Sequence, residues 1–192
     1  VTSVIVDANN NVFLYGATNS PNFPTTAGAS DQTFNGGGGT VTFPQNGTIF
    51  NGGTDIYVAK FNPGATALLG STFIGGSGND GVNYPNGSTS VYDTLMKNYG
   101  DQFRGEIQLD KFGNVYVASS TRSSNFPTVT PFDNTLGGGQ DAVVFKMDNS
   151  LTSLIWSSYL GGSRQDAGYS IIVTDSLFAY VTGGTASNDF SL

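Results

Sequence analysis

The residues of this chain that most suggest chemistry lie in a glycine-rich stretch, GGSGNDGVN, at residues 75–83. Residues 76–81 match the GxGxxG pattern, which binds the pyrophosphate of a dinucleotide when it opens a helix after a strand. The whole stretch also matches the nonapeptide repeat of parallel β-rolls, in which calcium binds between stacked turns. Because calcium accepts mixed oxygen ligands, Asp80 and its counterpart Asp166 are the candidate calcium ligands.

A second copy of this stretch helps to decide between these interpretations. The copy at residues 161–167, GGSRQDA, loses two glycines of the pattern, and the residues after the first copy, VNYPNGSTS, form a poor helix. The two copies start 86 residues apart, whereas a calcium roll stacks consecutive nonapeptides. We therefore interpret the stretch as a tight turn between repeated units and predict no cofactor. A single calcium ion at Asp80 or Asp166 is the alternative.

The composition excludes several classes of function. The chain of 192 residues has no cysteine and no histidine, which removes disulfides, thiolate metal sites and every catalytic arrangement based on histidine. Only carboxylate, tyrosine or lysine chemistry is left, so we predict that the protein is not an enzyme. The net charge of −7 disfavours nucleic acid, which needs a basic patch. No apolar run is long enough to insert into a membrane.

The chain contains an internal repeat. Residues 4–26 match residues 107–129 at a constant offset of 103, and residues 52–80 match residues 138–166. A third copy begins at residues 171–190, at an offset of 64 from the second. The basic period is therefore 64 residues, and two insertions lengthen the first unit.

Each unit contains four strand-like segments with the alternation typical of β-strands. Asp7 and Asp110 stand in short links where a carboxylate can brace a turn. Four antiparallel strands at this spacing predict an all-β fold of β-propeller blades, about two and a half blades of a larger propeller. The predicted strands are roughly 2–6, 11–17, 55–61 and 68–74 in unit one, and 105–109, 114–120, 141–147 and 153–160 in unit two.

These strands divide the chain into four parts. Blade 1 covers residues 1–82 and contains a hairpin insertion near residues 36–51, with Asn46-Gly47 as its turn. An inserted loop with aromatic residues follows at 83–104. Blade 2 covers residues 105–167, and residues 168–192 form the first half of blade 3.

The ordered motifs of the repeat, DxxxNV, NFPT, GGxDxxVxK and S-[ST]-[FY]-[IL]-GGSxxD, resemble the SBBP-type bacterial β-propeller repeat. The resemblance covers nearly the whole chain apart from the insertions; Thr174 and Ser191 depart from the pattern in the third unit. It implies part of a large extracellular or cell-surface protein, of a kind frequent in Bacteroidetes and exported there by type IX secretion. Some such proteins act in adhesion or gliding.

The inserted loop is the best place for a function particular to this chain, because loops on a rigid scaffold vary freely. Tyr84, Tyr92 and Tyr99 stand there beside amide side chains and suit contact with a protein or glycan surface. A loop folded over its own blade, with these rings buried, is the alternative. Thr94 and Ser176 lie in Asp-Thr-Leu and Asp-Ser-Leu sequences that resemble the O-glycosylation motif of secreted Bacteroidetes proteins.

We therefore expect a non-enzymatic extracellular scaffold or adhesive module. The remaining blades would come from the same polypeptide or from a partner chain. One alternative is a carbohydrate-binding or carbohydrate-processing propeller that uses a carboxylate pair from Asp93, Asp101 and Glu106. Another is an assembly subunit that docks through an exposed blade edge.

Overall fold

The computed structural model describes residues 1–37, 39–43, 47–84, 95–96 and 100–190, and it is all-β. A single 3₁₀ turn, Asp101–Phe103, is the helical element of the described residues, and none of their helices is long and apolar enough to cross a membrane. The strands are β1 Ser3–Val6, β2 Val12–Thr18, β3 Val41–Phe43, β4 Thr48–Phe50, β5 Asp55–Phe61, β6 Leu68–Ile74, β7 Glu106–Leu109, β8 Val115–Thr121, β9 Asp141–Met147, β10 Leu154–Leu160, β11 Asp166–Val173 and β12 Ala179–Thr185.

The strands form two four-stranded antiparallel sheets and two two-stranded ones. The first sheet has the order β1-β2-β5-β6 and the second the order β7-β8-β9-β10, while β11 pairs with β12 and β3 with β4. Every end of the eight strands in the two large sheets lies within one residue of its predicted position. The described residues do not close into a ring.

The sheets stack face to face around apolar junctions. Tyr15 and Val58 of the first sheet pack against Val117 of the second in one buried cluster. On the opposite face of the second sheet, Tyr116 packs with Ile171 of β11 in another cluster. Tyr116 and Val117 are consecutive in β8 and thus point to opposite faces of the second sheet, as the period of two in a strand requires. Each sheet buries one face against the next, so the units stabilise one another.

The predicted turn braces are present. The Asp7 carboxylate accepts hydrogen bonds from the backbone N–H groups of Asn9 and Asn11, at 2.8 and 2.9 Å. Asp110 makes the same pair of bonds in the second unit, at 2.9 Å each. In the third unit Thr174 replaces the aspartate, and its hydroxyl accepts the N–H of Phe178 at 3.2 Å. The aspartates therefore hold the chain reversal between the first two strands of a unit.

The two insertions pack against each other. The predicted hairpin is present as β3 and β4, and the Phe43 ring lies 5.0 Å from the ring of Phe103 in the second insertion. Phe43 pairs with Thr48 at the end of the hairpin. Of the predicted Asn46-Gly47 connection, Asn46 lies outside the described residues. Gly47, at a φ of 69°, is the described part of that connection.

Candidate functional site

The glycine-rich turns and the described parts of both insertions lie at one end of the sheets, which we call the loop end. Strand β2 finishes there at Thr18 opposite Asp55, the first residue of β5. In the second sheet β8 finishes at Thr121 opposite Asp141, the first residue of β9. Loops on a rigid sheet are the usual place for binding groups. The loop end is therefore the candidate functional site.

At the loop end, Asp80 joins the first sheet to the second. Its carboxylate is fully buried and accepts the N–H of Gly76 and the hydroxyl of Ser123, each at 2.8 Å. The Thr121 hydroxyl donates to its other oxygen. Since Ser123 and Thr121 belong to the second unit, Asp80 holds a connection between units. We call this set of contacts the clasp.

The glycines of the turn permit the close approach that the clasp needs. Ser77 donates from its N–H and its hydroxyl to the amide oxygen of Asn125, at 2.8 and 3.0 Å. A Cβ atom on Gly76 would lie 2.5 Å from that amide oxygen, and one on Gly78 would lie 2.6 Å from the carbonyl oxygen of Arg122. Both distances are too short for a side chain, so these two positions require glycine.

A second clasp repeats this geometry between the second and third units. Asp166 accepts the N–H of Gly162 and the hydroxyl of Ser187, each at 2.8 Å. Ser163 donates its N–H to Asp189 at 2.9 Å, where the first clasp uses Asn125. The glycine-rich stretch is thus a turn that joins repeated units, as the second copy predicts. No helix begins in residues 75–84, where a dinucleotide site would need one.

Each clasp also brings a second carboxylate close to the first. Asp55 and Asp80 face each other across Gly75: a Cβ atom on Gly75 would lie 2.6 Å from Oδ1 of Asp55 and 2.9 Å from Oδ2 of Asp80. The other oxygen of Asp55 accepts the N–H of Asn35 at 2.6 Å, while its buried Oδ1 has no hydrogen-bond partner. Burial raises the pKa of Asp55 to about 7, and the neighbouring carboxylates add to this effect.

Burial raises the pKa of Asp80 to about 6, although its three hydrogen bonds oppose the shift. The second unit repeats the pair as Asp141 and Asp166, and burial raises the pKa of Asp141 to about 6. Neither pairing is marked by a motif in the sequence. The signal for them is that the spacing from Asp55 to Asp80 recurs between Asp141 and Asp166.

The surroundings of Asp80 and Asp166 are those of hydrogen-bonded braces. Both oxygens of Asp80 and Oδ2 of Asp166 accept N–H or O–H donors, whereas a calcium ion is surrounded by oxygen ligands. Oδ1 of Asp166 is buried without a hydrogen-bond partner, as Oδ1 of Asp55 is. The described residues contain no group of three or more acidic, histidine or cysteine side chains that could hold a metal. We therefore assign Asp80 and Asp166 to the connection between units and propose no calcium site there.

Tyr84 is anchored at the loop end by contacts on its ring and its backbone. The guanidinium carbon of Arg122 lies 4.5 Å from the centre of its ring, and the Arg122 side chain donates to the Tyr84 carbonyl at 3.0 Å. The Tyr84 N–H donates to the side chain of Gln140 at 3.2 Å. The residue is half-buried, so one side of its ring has a structural contact. Tyr92 and Tyr99 lie outside the described residues.

Two of the candidate sugar-site carboxylates have structural partners. Asp101 forms an ion pair with Arg104 at 2.9 Å. Glu106 accepts the N–H of Ile171 at 3.1 Å and the hydroxyl of Ser170, which fastens β7 to β11. The third carboxylate, Asp93, lies outside the described residues, as do Thr94 and Asn46. Ser176 lies in the exposed turn between β11 and β12.

A scan of the chain against protein-family models finds no match, and no curated protein matches it either. The resemblance to SBBP-type repeats therefore stays a prediction.

Proposed function

We propose that this chain is a non-enzymatic scaffold module of the β-propeller type, which stacks with further copies of its own repeated unit. In this proposal the module works outside the cell and presents its loop end to a protein or glycan surface. The observation that carries the proposal is a contrast within the chain. Residues that are buried at the internal junctions have exposed equivalents on the two outer faces.

The first outer face lies on the first sheet. Val4 is 59% exposed, whereas Ile107, at the same position of the second unit, is 1% exposed beneath the first sheet. Val6 is also exposed, while its equivalent Leu109 packs against the buried cluster. A further unit stacked here would bury these valines as the first sheet buries their equivalents.

The second outer face lies on the sheet of β11 and β12. Tyr180 is 62% exposed, whereas its equivalent Tyr116 is 5% exposed beneath β11. Ile172 stands beside it and is exposed as well. Full burial of an apolar side chain contributes about 1.5 to 3 kcal/mol. Two or three such residues on each face therefore favour association with a matching unit, and apolar patches of this kind mark interaction surfaces.

The assignment as a non-enzymatic module is supported by the chemistry of the chain. It has neither histidine nor cysteine, and the buried carboxylates at the loop end serve the clasps. A position outside the cell is supported by the resemblance to SBBP-type repeats. No contact of the described residues favours the carbohydrate-processing alternative, because Asp101 and Glu106 are engaged in structural contacts.

The proposal is tested by adding one unit. A copy of residues 105–168 is inserted before Thr2, so that its Tyr116 face covers Val4 and Val6. Stacked repeats gain stability from each new interface, so we expect one cooperative unfolding transition with Tm raised by about 4 °C or more. The control carries Ala118→Asp in the added copy alone, which places a charge in the new junction. Two separate transitions, or equal Tm values for the extended chain and its control, would contradict the proposal.

A further inference from the structure

One edge of β12 is unpaired among the described residues, whereas the same edge of its equivalents β2 and β8 is paired. In the two large sheets, β2 and β8 each pair with a third strand over seven residues. Strand β12 has the same length and pairs, among the described residues, with β11 alone. The backbone N–H and C=O groups along its free edge therefore offer a template for one more antiparallel strand.

In each large sheet, a loop of the same unit covers the edge at the fourth strand. The backbone of β6 bonds with Thr26 and Asp31, at 3.0 Å in each case. The backbone of β10 bonds in the same way with Val129 and Asp133, at 3.0 and 3.1 Å. Such covering prevents unwanted strand addition. Among the described residues, the edge of β12 has no such cover.

A cavity of about 270 Å³ lies beside the open edge, between the second sheet and β12. Its walls include Ala142 and Leu160 of the second sheet. At the junction between the first and second units, the equivalents of these two residues are Ile56 and Ile74, and they pack in one cluster with Val143 and Tyr159. Those two side chains come from a third and a fourth strand. The cavity therefore has the position that a third and a fourth strand fill elsewhere in the chain.

Polar groups beside the cavity match a tyrosine. At the first junction, the Tyr159 hydroxyl donates to the carbonyl oxygen of Ser123 at 2.6 Å and accepts the N–H of Phe126 at 2.9 Å. Ser187 and Phe190 hold the same positions in the third unit, and Phe190 lines the cavity. An aromatic residue with a hydroxyl would thus find both an apolar space and a donor–acceptor pair.

The exposed ring of Tyr180 is a suitable contact for a lysine side chain. In the first sheet, Lys60 of the third strand lies over the ring of Phe13 on the second strand, at 4.9 Å. In the second sheet, Lys146 lies over the ring of Tyr116 at 4.8 Å. Tyr180 is the equivalent of these aromatic residues, so a lysine on an added strand would cover it in the same way.

We propose that the edge of β12 and the adjoining cavity form an acceptor site for a β-hairpin from another polypeptide segment. The first strand of this hairpin begins with Asp and carries Lys five residues later, and its second strand carries Tyr. The Asp pairs with Thr185 and the Lys with Tyr180, which is the register of β9 on β8. The inference deepens the proposed function, on which it rests, because it names the partner that one end of the module accepts.

The probe for the test is a synthetic peptide of residues 137–162, the chain's own hairpin of this type, added to the complete chain. We expect saturable one-to-one binding and hydrogen exchange slowed at least tenfold at those amides of Ala179–Thr185 that point away from β11. Residues 141–147, which pair on both sides, serve as the internal reference. A peptide with Tyr159→Phe keeps the apolar ring but loses the hydroxyl, so we expect weaker binding. The chain variant Tyr180→Ala should not further weaken the binding of a peptide that carries Lys146→Ala.

Three results would overturn the inference. They are no slowing of exchange at Ala179–Thr185 at saturating peptide, binding of a peptide with both Tyr159→Phe and Lys146→Ala as tight as that of the unchanged peptide, or equally tight binding of a peptide with the scrambled sequence. A chain variant Phe112→Ala, which changes an exposed ring elsewhere, should bind as the unchanged chain does. The added-unit experiment tests the opposite face at Val4. Failure of the acceptor site and failure of the stacking proposal are therefore distinguishable.

Discussion

Replacement of Asp55 by asparagine should remove part of the pH dependence of stability. Asp55 and Asp80 face each other across Gly75, and Oδ1 of Asp55 lacks a hydrogen-bond partner. The amide group that the Asp55→Asn substitution introduces keeps an oxygen for the N–H of Asn35 and places an N–H group toward Asp80. The variant therefore resembles the protonated form of Asp55 at every pH.

The sign and size of the effect follow from the pKa. Burial raises the pKa of Asp55 in the folded chain to about 7, against about 3.9 in an unfolded chain. The folded state thus binds more protons than the unfolded state between these values, so the free energy of unfolding falls as the pH rises through this range. At about 1.4 kcal/mol per pKa unit, ionisation of Asp55 costs about 4 kcal/mol in full and about 3 kcal/mol between pH 5 and pH 8.

The assay is guanidinium unfolding at pH 5, 6, 7 and 8, followed by the fluorescence of the single tryptophan, Trp156. We expect the unchanged chain to lose about 3 kcal/mol more than the Asp55→Asn variant over this range. The control is Asp175→Asn, which changes an exposed aspartate in the β11–β12 turn. Equal slopes for Asp55→Asn and the unchanged chain, or a stability that rises from pH 5 to pH 8 in the unchanged chain, would refute the reasoning.

Three substitutions test the contacts between units, each by Tm and by denaturant unfolding. Gly75→Ala should lower the free energy of unfolding by about 1 to 3 kcal/mol, because its Cβ atom would meet two carboxylates. The control is Gly37→Ala, which should change the free energy of unfolding little because its Cβ atom would lie 3.4 Å from the nearest atom. Equal losses in the two variants would contradict the close approach at Gly75. Tyr15→Phe should lower the free energy of unfolding by about 1 to 2 kcal/mol, because the Tyr15 hydroxyl forms a hydrogen bond with Ser119 at 2.5 Å in the buried first junction. Ser119→Ala should then cost less in the Tyr15→Phe variant than in the unchanged chain. Strictly additive losses would contradict the hydrogen bond. Asn125→Ala should cost about 1 kcal/mol by removing the acceptor of Ser77 from the clasp, and no loss would show that the clasp is unimportant.

The strands and turns of this fold could be predicted because each sequence pattern occurs in two copies. Alternation in one copy of a strand is weak evidence, but Asn114–Ser120 repeats the pattern of Asn11–Ala17. The turn braces were predictable for a related reason: Asp7 and Asp110 act on residues two and four positions away, and their partners are therefore visible in the sequence.

The contacts that were not predicted join residues distant along the chain and not marked by a motif. Asp55 reaches Asp80 because β5 begins and β6 ends at the same end of the sheet, which only the pairing register reveals. The contact of Phe43 with Phe103 joins two insertions that occur once, so no second copy points to it. Equal spacing in two copies is a signal for the first kind of contact, and nothing comparable exists for the second.

We propose that the outer face at Val4 forms a junction with a further unit, and the burial of Val4 tests this proposal most directly. The chain contains no cysteine, so Val4→Cys provides a single thiol whose labelling rate reports its exposure. We expect fast labelling in the 192-residue chain and labelling slowed at least tenfold once residues 105–168 are added before Thr2. Phe112→Cys, at a position exposed in both proteins, should react fast in each. Equal rates at Val4→Cys with and without the added unit would contradict the account.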